Sequence, residues 1–543
     1  MHSHNKNKPL TIVLLVFIQV LGYNKSNAQD WLRIYNTDTK WSVPYHVKEA
    51  YDHGILIQYD FRKYEGAYIQ SGIFKTDING NKLWEKIFGD PASYMVTLKG
   101  FDLTPDGGAV ICGITTLEDE YGDPFVLKLN SCMIPEWCNV YNTPSWDDGG
   151  TDIKYIAWDN TYVLELYNTQ YDINEKREFV MKIDFEGNQI WYNIYSTNPF
   201  YCDELLHDMN LSLTDSAYVL NGFVYLFDSI NGWWEIRPYW LKISNNGDFL
   251  WEKISIENPI FGYGITRFSD VSKSGNIFTF VSQAGETFLT TIDMDGYETL
   301  SLPISIPDSV SLSTNNTTEI YRDSLILNSL QYFFSPTGPC CSSIQITDTL
   351  GNFKDEIVLP LDWSALTTDI EITFDNKILA VTTYDSWLKK IMLTKYNENF
   401  EYDSIYTRPY TYDSLCPGGI NSGSIDLGCS VITGIKDEIK EGHAKLTLAP
   451  NPARDFTIVY LPETIVGNEK QGPFDVTTFR TDYARNLRIE IFDINGKTVH
   501  QADWPDGIKE QVLSTSTYTP GLYLIRVNGP NGIIATGKLL INR

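Results

Sequence analysis

Few residues in this chain have a type and spacing suited to chemistry. Asp77-Ile78-Asn79-Gly80 and Asp293-Met294-Asp295-Gly296 set side-chain oxygens at alternating positions, as calcium loops do. Neither is followed by the glutamate that completes such a loop, and a hairpin turn explains the same residues. No cofactor is therefore expected; calcium is disfavoured but not excluded. HExxH, GxSxG and P-loop motifs are all missing, and His46, His53, His207, His443 and His500 are scattered. Carboxylates are numerous enough to leave a glycosidase-type pair open, but acids in solvated turns account for most of them. No residue is assigned a catalytic role. The densest set for ligand contact is residues 231–240, NGWWEIRPYW, read as an insertion. There Trp233, Trp234, Tyr239 and Trp240 form a candidate aromatic platform for sugar rings. The alternative is that these rings cover a sheet edge or each other.

The element that must carry these residues is a repeated hairpin. Residues 74–88, FKTDINGNKLWEKIF, read as two short strands around the turn at Asp77 to Gly80. The phrase returns at Val126-Leu127-Lys128-Leu129-Asn130 with Trp137, at Val180-Met181-Lys182-Ile183-Asp184 with Trp191, and at Leu241-Lys242-Ile243-Ser244 with Trp251. Weaker copies stand at Thr290-Thr291-Ile292-Asp293, Ile344-Gln345-Ile346-Thr347-Asp348 and Leu393-Thr394-Lys395-Tyr396-Asn397. Upstream of each lies a second strand pair, clearest in residues 100–115, GFDLTPDGGAVICGIT. Four short antiparallel strands thus recur at a spacing of about 50 to 60 residues. A lone four-stranded sheet cannot bury both faces, whereas radial stacking buries them and leaves few free edges. The expectation is an all-β chain with a seven-bladed β-propeller. Residues 31–36, WLRIYN, read as the outermost strand of a blade with no blade before it, and residues 402–407 compete for that place. The Trp of the hairpin resembles the Gly-x-x-x-Trp phrase of quinone-dependent dehydrogenase propellers, but no cofactor ligands accompany it, and a packing role is expected.

Composition narrows the function classes. The formal net charge of -27 disfavours a nucleic-acid partner. Lys6 and Lys8 precede an apolar run over residues 10–21, and Ser26-Asn27-Ala28 provides small residues at a cleavage site. This is a signal peptide ending at Ala28, and no transmembrane span is expected after it. An exported chain permits disulfides. Cys132 and Cys138 flank a hairpin turn and suggest a cross-strand bridge, while Cys416 and Cys429 bracket a Gly/Ser-rich stretch and suggest a loop closure. The expected divisions are residues 1–28, signal peptide; 29–407, propeller; 408–444, linker; and 445–543, a small β-sandwich.

The last division carries a specific resemblance. Pro450-Asn451-Pro452, then Asp493 and Gly496 in FDING, then Pro520, Gly521 and Tyr523 in TPGLY, and finally Gly537-Lys538 in GKLLI stand in order towards the C-terminus. The module resembles the type A sorting domain of the Bacteroidetes type IX secretion system. That resemblance implies Sec export followed by outer-membrane passage, with the type IX machinery as partner and the cell surface or the medium as destination. Residues 462–486 form a longer insertion than the family usually has. Asp-Ser/Thr-aliphatic triplets at Ser216, Ser229, Ser309, Ser324, Thr349, Ser404 and Ser414 resemble the O-glycosylation sequon of exported proteins of that phylum. The functional expectation is a non-enzymatic surface or secreted propeller that binds glycan or protein. The alternatives are a polysaccharide-processing enzyme with its site at the propeller mouth, and a surface scaffold or adhesin.

Overall fold

The computed structural model describes residues 31–35, 39, 41–90, 92–117, 122–142, 147–170, 175–195, 201–228, 233–255, 268–283, 286–304, 311–334, 338–359, 366–384, 390–408, 410–433, 444–449, 453–454, 456–461, 487–493, 497–505, 510–529 and 532–542. Every regular element among them is a strand. Trp41–Glu49, Ile55–Arg62, Gln70–Thr76 and Lys82–Phe88 pair in that order as an antiparallel meander. The same order recurs in sheets whose inner strands are Val96–Leu103, Asp147–Ile156, Tyr201–Ser212, Ser269–Val271 and Ser311–Tyr321. A further sheet takes its inner three strands from Leu366–Ile372, Ile378–Tyr384 and Lys390–Tyr396. Its outer strand is Leu32–Tyr35, which pairs antiparallel with Lys390–Tyr396. Residues 402–407 do not take that place, and their contribution is a single bridge between Tyr396 and Tyr402. These sheets are numbered here as blades 1 to 7. Each packs on the next and the seventh packs on the first, so that both faces of every sheet are covered in a propeller-like ring.

Two ties are repeated, one between neighbouring blades and one within a blade. The first uses the tryptophan at the head of the outer strand. The indole N–H of Trp137 donates to Phe185 O (3.1 Å), that of Trp191 to Asn245 O (3.3 Å) and that of Trp251 to Met294 O (3.0 Å). Each acceptor lies in the outer hairpin turn of the following blade. Trp31 closes the circle against the turn of blade 1, where Gly80 holds φ 79° and an added Cβ would lie 2.5 Å from Arg33 Cγ. The second tie uses a lysine of the third strand. Lys75, Lys128, Lys182 and Lys242 are buried, yet each ammonium reaches a carboxylate in the inner hairpin turn of its own blade. The partners are Asp52 (2.7 Å), Asp106 (2.7 Å), Asp159 (2.5 Å) and Asp215 (2.7 Å). Burial would raise Asp159, but hydrogen bonds from Lys182, Thr161 and Asn245 outweigh it and hold the acid below the usual carboxylate range.

Residues 408–433 are not a linker. They cross the ring face over blades 1 and 2 and then lie along their outer edges. Gly423–Ile425 adds to Lys82–Phe88, and Ser430–Thr433 adds to Pro135–Asn142, both in parallel. Disulfides join Cys132 to Cys416 and Cys138 to Cys429. The expected local pairings are therefore replaced by two long-range ones. The physical reason lies in register: Cys138 faces Leu127 across its hairpin, while Cys132 sits in the turn and has no cross-strand position opposite Cys138. Cys112 is a buried free thiol. The C-terminal residues form two sheets, one of five strands and one of three, around an apolar core that includes Leu487, Ile489, Trp504, Val527 and Leu539.

The lysine tie yields a stability prediction. Blade 5 has Thr291 and Ser274 in place of the Lys and Asp of blade 4, where Lys242 and Asp215 stand. Lys242→Thr leaves Asp215 without its cation and is expected to cost about 2–4 kcal/mol, because the lysine is buried and the acid only half-buried. Adding Asp215→Ser, which copies blade 5, should recover at least about 1 kcal/mol of that loss. Urea unfolding of the three proteins checks this; a double variant no more stable than the single one contradicts it.

Candidate axial site

The inner strands carry a second regularity, one or two residues before each inner hairpin closes. Pairing with the neighbouring strand places Lys48, Asp102, Lys154, Asn210, Asp270, Glu319 and Glu371 at equivalent positions of blades 1 to 7. Two residues earlier, across a β-bulge in most blades, stand His46, Asp152, Asp208 and Asp369. The bulge turns the inner strand so that polar residues point toward the ring axis or the next blade. A charged ring thus lies inside an otherwise apolar stack. Sequence reading missed it. The available signal was a charged residue at a near-constant offset before each inner turn, as in VKEAYDHG, FDLTPDGG and IEITFDNK.

Most of these acids hold the next blade. Asp369 accepts the N–H of Val47 (2.9 Å), Asp102 that of Tyr155 (2.8 Å), Asp152 that of Met209 (3.3 Å), Asp208 that of Ser269 (3.1 Å) and Asp270 that of Ile320 (2.8 Å). Such carboxylate-to-backbone bonds satisfy donors that the bulges withdraw from the strand ladder. His46 completes the link between blades 1 and 2 through Lys99 O (2.7 Å), with Asp369 at 3.6 Å. Burial lowers its basicity, but Asp369 reverses the effect and raises it. Lys48 lies 3.9 Å from both Asp102 and Glu371, and Glu371 above all keeps it protonated. Lys154 lies 3.1 Å from Asp152.

Glu319 and Glu371 differ from the other acids, since neither makes such a backbone bond between blades among the described residues. Burial pushes Glu371 up to about 7, against the pull of Lys48. Burial and then Asp270 push Glu319 upward as well. Asp208 is raised by burial to about 7. Glu371 keeps 26% of its side chain open along the axis, so water screens part of this effect. Among the described residues, no group of three or more His, Cys, Asp or Glu is arranged to hold a metal ion. The turn acids suggested by the calcium pattern are used locally. Asp77 Oδ1 accepts the N–H groups of Asn79 and Asn81, and Asp293 Oδ1 those of Asp295 and Tyr297.

Two of the four residues of the expected aromatic platform, Tyr239 and Trp240, are buried and take no part in such a surface. Residues 233–240 belong to the twelve-residue strand Trp233–Ser244, paired along its length with Ala217–Asp228, and are not a loop insertion. Tyr239 and Trp240 are 1% and 0% exposed, packed between blades 3 and 4 and between blades 4 and 5 respectively. The side chains of Trp233 and Trp234 lie outside the described residues. Of the Asp-Ser/Thr positions, Ser324, Ser404 and Ser414 are exposed and Ser216 and Thr349 half-buried, while Ser229 and Ser309 lie outside the described residues. In the C-terminal module Tyr523 is buried and its hydroxyl donates to Thr519 O (2.9 Å); Pro520, Gly521 and Lys538 are exposed. Gly537 approaches Leu446 so closely that an added Cβ would stand 3.0 Å from Leu446 Cβ. Pro450, Asn451, Pro452 and Gly496 lie outside the described residues, as does the side chain of Asp493.

Among acids with raised affinity for protons, stability is fully present below the unfolded carboxylate value of about 4 and is lost as pH rises through the folded value. For Glu371 and Asp208 that window runs from about 4 to 7. Acids held low, such as Asp106 and Asp215, act oppositely and only below it. The melting temperature is therefore expected to fall from pH 4.5 to pH 7.5. Glu371→Gln should flatten the fall by the equivalent of about 1–2 kcal/mol, allowing for screening. A melting temperature that rises across this window, or a variant with the same slope, contradicts the assignment.

Residues 447–542 match the family described as "Secretion system C-terminal sorting domain". The chain thus carries a type IX sorting domain, which directs export to the cell surface or the medium. No helix among the described residues is long and apolar enough to cross a membrane. No curated protein matches the chain. Among solved structures, a mutant puromycin hydrolase is similar with a TM-score of 0.45 and 10% identity, over 77% of this chain and 58% of that one. An α-L-arabinofuranosidase from Fusarium graminearum scores 0.36 at 10% identity, over 58% of this chain and 94% of that one. A protein of unknown function from Dyadobacter fermentans scores 0.39 at 11% identity, over 67% and 98%. The chain spans little more than half the length of the hydrolase, and likeness at this level carries no activity across.

Proposed function

We propose that this chain is an exported recognition protein: an N-terminal signal peptide ending at Ala28 begins its route, the sorting domain completes it, and the ring binds a glycan or protein outside the cell. The observation that carries the reading is the use of the axial acids. Asp369, Asp102, Asp152, Asp208 and Asp270 each accept a backbone N–H of the following blade. A carboxylate committed to holding a sheet is poorly placed to exchange protons with a substrate. The charges at the axis thus serve closure of the ring first.

A second reading, a glycan-processing enzyme, draws on Glu319 and Glu371. They occupy adjacent blades at equivalent positions, are engaged in no backbone bond between blades among the described residues, and have raised proton affinity. A pair of such acids suits general acid–base work.

Screening the mature protein on an array of bacterial, algal and plant polysaccharides separates the two. The recognition reading expects retention of a glycan with no new reducing ends after prolonged incubation. New reducing ends that vanish in Glu319→Gln or Glu371→Gln would favour the enzyme. On the route of export, removing residues 446–543 should leave the protein inside the envelope; undiminished surface delivery would contradict it.

A further inference from the structure

The inner hairpins of all seven blades share one backbone requirement. The residue before the second strand resumes adopts a left-handed conformation: His53 (φ 64°), Gly107 (82°), Asn160 (57°), Ser216 (51°), Gly275 (86°), Asp323 (55°) and Asn376 (58°). Glycine or a short polar side chain suits that conformation best. Six blades use one, and blade 1 alone places an aromatic ring there. The turn does not require it, which directs attention to what the ring touches.

His53 stands in an aromatic cluster drawn from three separate stretches of chain. Its ring lies edge-on to Tyr410 (centroids 4.9 Å apart) and to Phe374 (6.1 Å). Phe374 belongs to the equivalent turn of blade 7, and Tyr410 to the segment that crosses the ring face; Tyr51 shares the turn of His53 but faces Lys75 and Gly107 on the blade 2 side. Phe374 and Tyr410 are open to solvent, 67% and 37% exposed. These rings gain little stability from where they are. Their supports are nevertheless buried and specific. Glu49, with 3% of its side chain exposed, holds His53 Nδ1 at 2.8 Å through one oxygen and accepts the N–H of Phe374 at 2.5 Å through the other. Tyr406 donates to Asp375 (2.6 Å), fixing the turn that presents Phe374. Tyr51 accepts the N–H of Leu415 (3.1 Å). Glu49 directly follows Lys48 in its strand, so the cluster sits at one mouth of the axial ring of charges.

We propose that Phe374, His53 and Tyr410 form a carbohydrate-binding subsite that takes the apolar face of a neutral pyranose, with Asp375 and the Glu49-held imidazole at its polar edge. This rests on the recognition reading and names its site. Rigid, pre-positioned aromatic rings beside a few polar groups are what a ring with one apolar face and a hydroxylated rim needs, since little ordering cost remains on binding. The net charge of -27 disfavours an anionic polysaccharide. A peptide strand finds no open ladder here, because the turns close on themselves: Ala50 N–H to Gly54 O, His53 N–H to Ala50 O, Thr373 N–H to Lys377 O and Asn376 N–H to Thr373 O.

Calorimetric titration of the mature protein with cellohexaose, mannohexaose and chitohexaose tests the subsite. At least one should bind, and Phe374→Ala and Tyr410→Ala should each weaken it about tenfold with an unchanged unfolding midpoint. Phe374→Leu, which keeps apolar bulk without a ring, should lose as much as Phe374→Ala. Binding that all three variants retain would overturn the subsite while leaving recognition by the ring intact. Failure of the wild-type protein to bind any of the three sugars would overturn the subsite, and failure on the wider polysaccharide array as well would remove the recognition reading.

Discussion

A buried ammonium paired with a turn carboxylate holds each well-formed blade together. Lys75, Lys128, Lys182 and Lys242 cross from the third strand, over the second, to the acid that begins the left-handed step of the inner hairpin. An uncompensated charge at such a depth costs several kcal/mol, so neither partner is tolerated alone. The chain itself follows that rule. Blade 5 lacks both, with Thr291 and Ser274, and blade 6 lacks both, with Ile346 and Arg322. Blade 7 keeps both, Lys395 and Asp375, and adds a carboxylate from outside the hairpin, Asp403, 3.8 Å from the ammonium. The tie therefore sets hairpin geometry, and the hairpin turns in turn receive the indole of the preceding blade.

Repetition of these ties makes a ring, and departures from repetition make its one distinctive sector. Blades 1 and 2 have covered outer edges because Gly423–Ile425 and Ser430–Thr433 pair with them, and the segment is bonded to blade 2 through two disulfides. The crossing segment also enters the ties: Asp413 shares Lys75 with Asp52 (2.7 Å to each) and accepts the indole N–H of Trp84 (3.0 Å). An exposed strand edge is an open site for further pairing, and here it is closed by the chain's own continuation. The same segment brings Tyr410 against His53. Closure and the aromatic cluster are two consequences of one crossing.

The outer hairpins were legible in sequence because a turn with positive φ at its fourth residue restricts choice. Gly80, Gly187, Gly247, Gly296 and Gly351 mark it. The same turn is filled by Met133 and Phe400 in blades 2 and 7, where the glycine signal fails while the strand pattern persists. The lysine of the phrase was in plain view but had no readable role, since its partner lies about 20 residues upstream in another hairpin. Aromatic density misled at residues 233–240, because strand register, which density does not report, sends Tyr239 and Trp240 into the core. The surface cluster at His53, Phe374 and Tyr410 was not visible, since only ring closure brings its ends together. Disulfide pairing was unreadable for the same reason, with partners 284 and 291 residues apart. The sorting module was the most legible part, its short phrases being read in order whatever the fold around them.

The account depends most on the crossing of residues 408–433 over the ring, since it seals two edges and completes the aromatic cluster. Peptide mapping of the unreduced, exported protein by mass spectrometry tests it directly. The account predicts cross-linked peptides joining Cys132 to Cys416 and Cys138 to Cys429. Recovery of the local pairs instead, Cys132 with Cys138 and Cys416 with Cys429, would mean that the segment does not lie on the ring, and would contradict it.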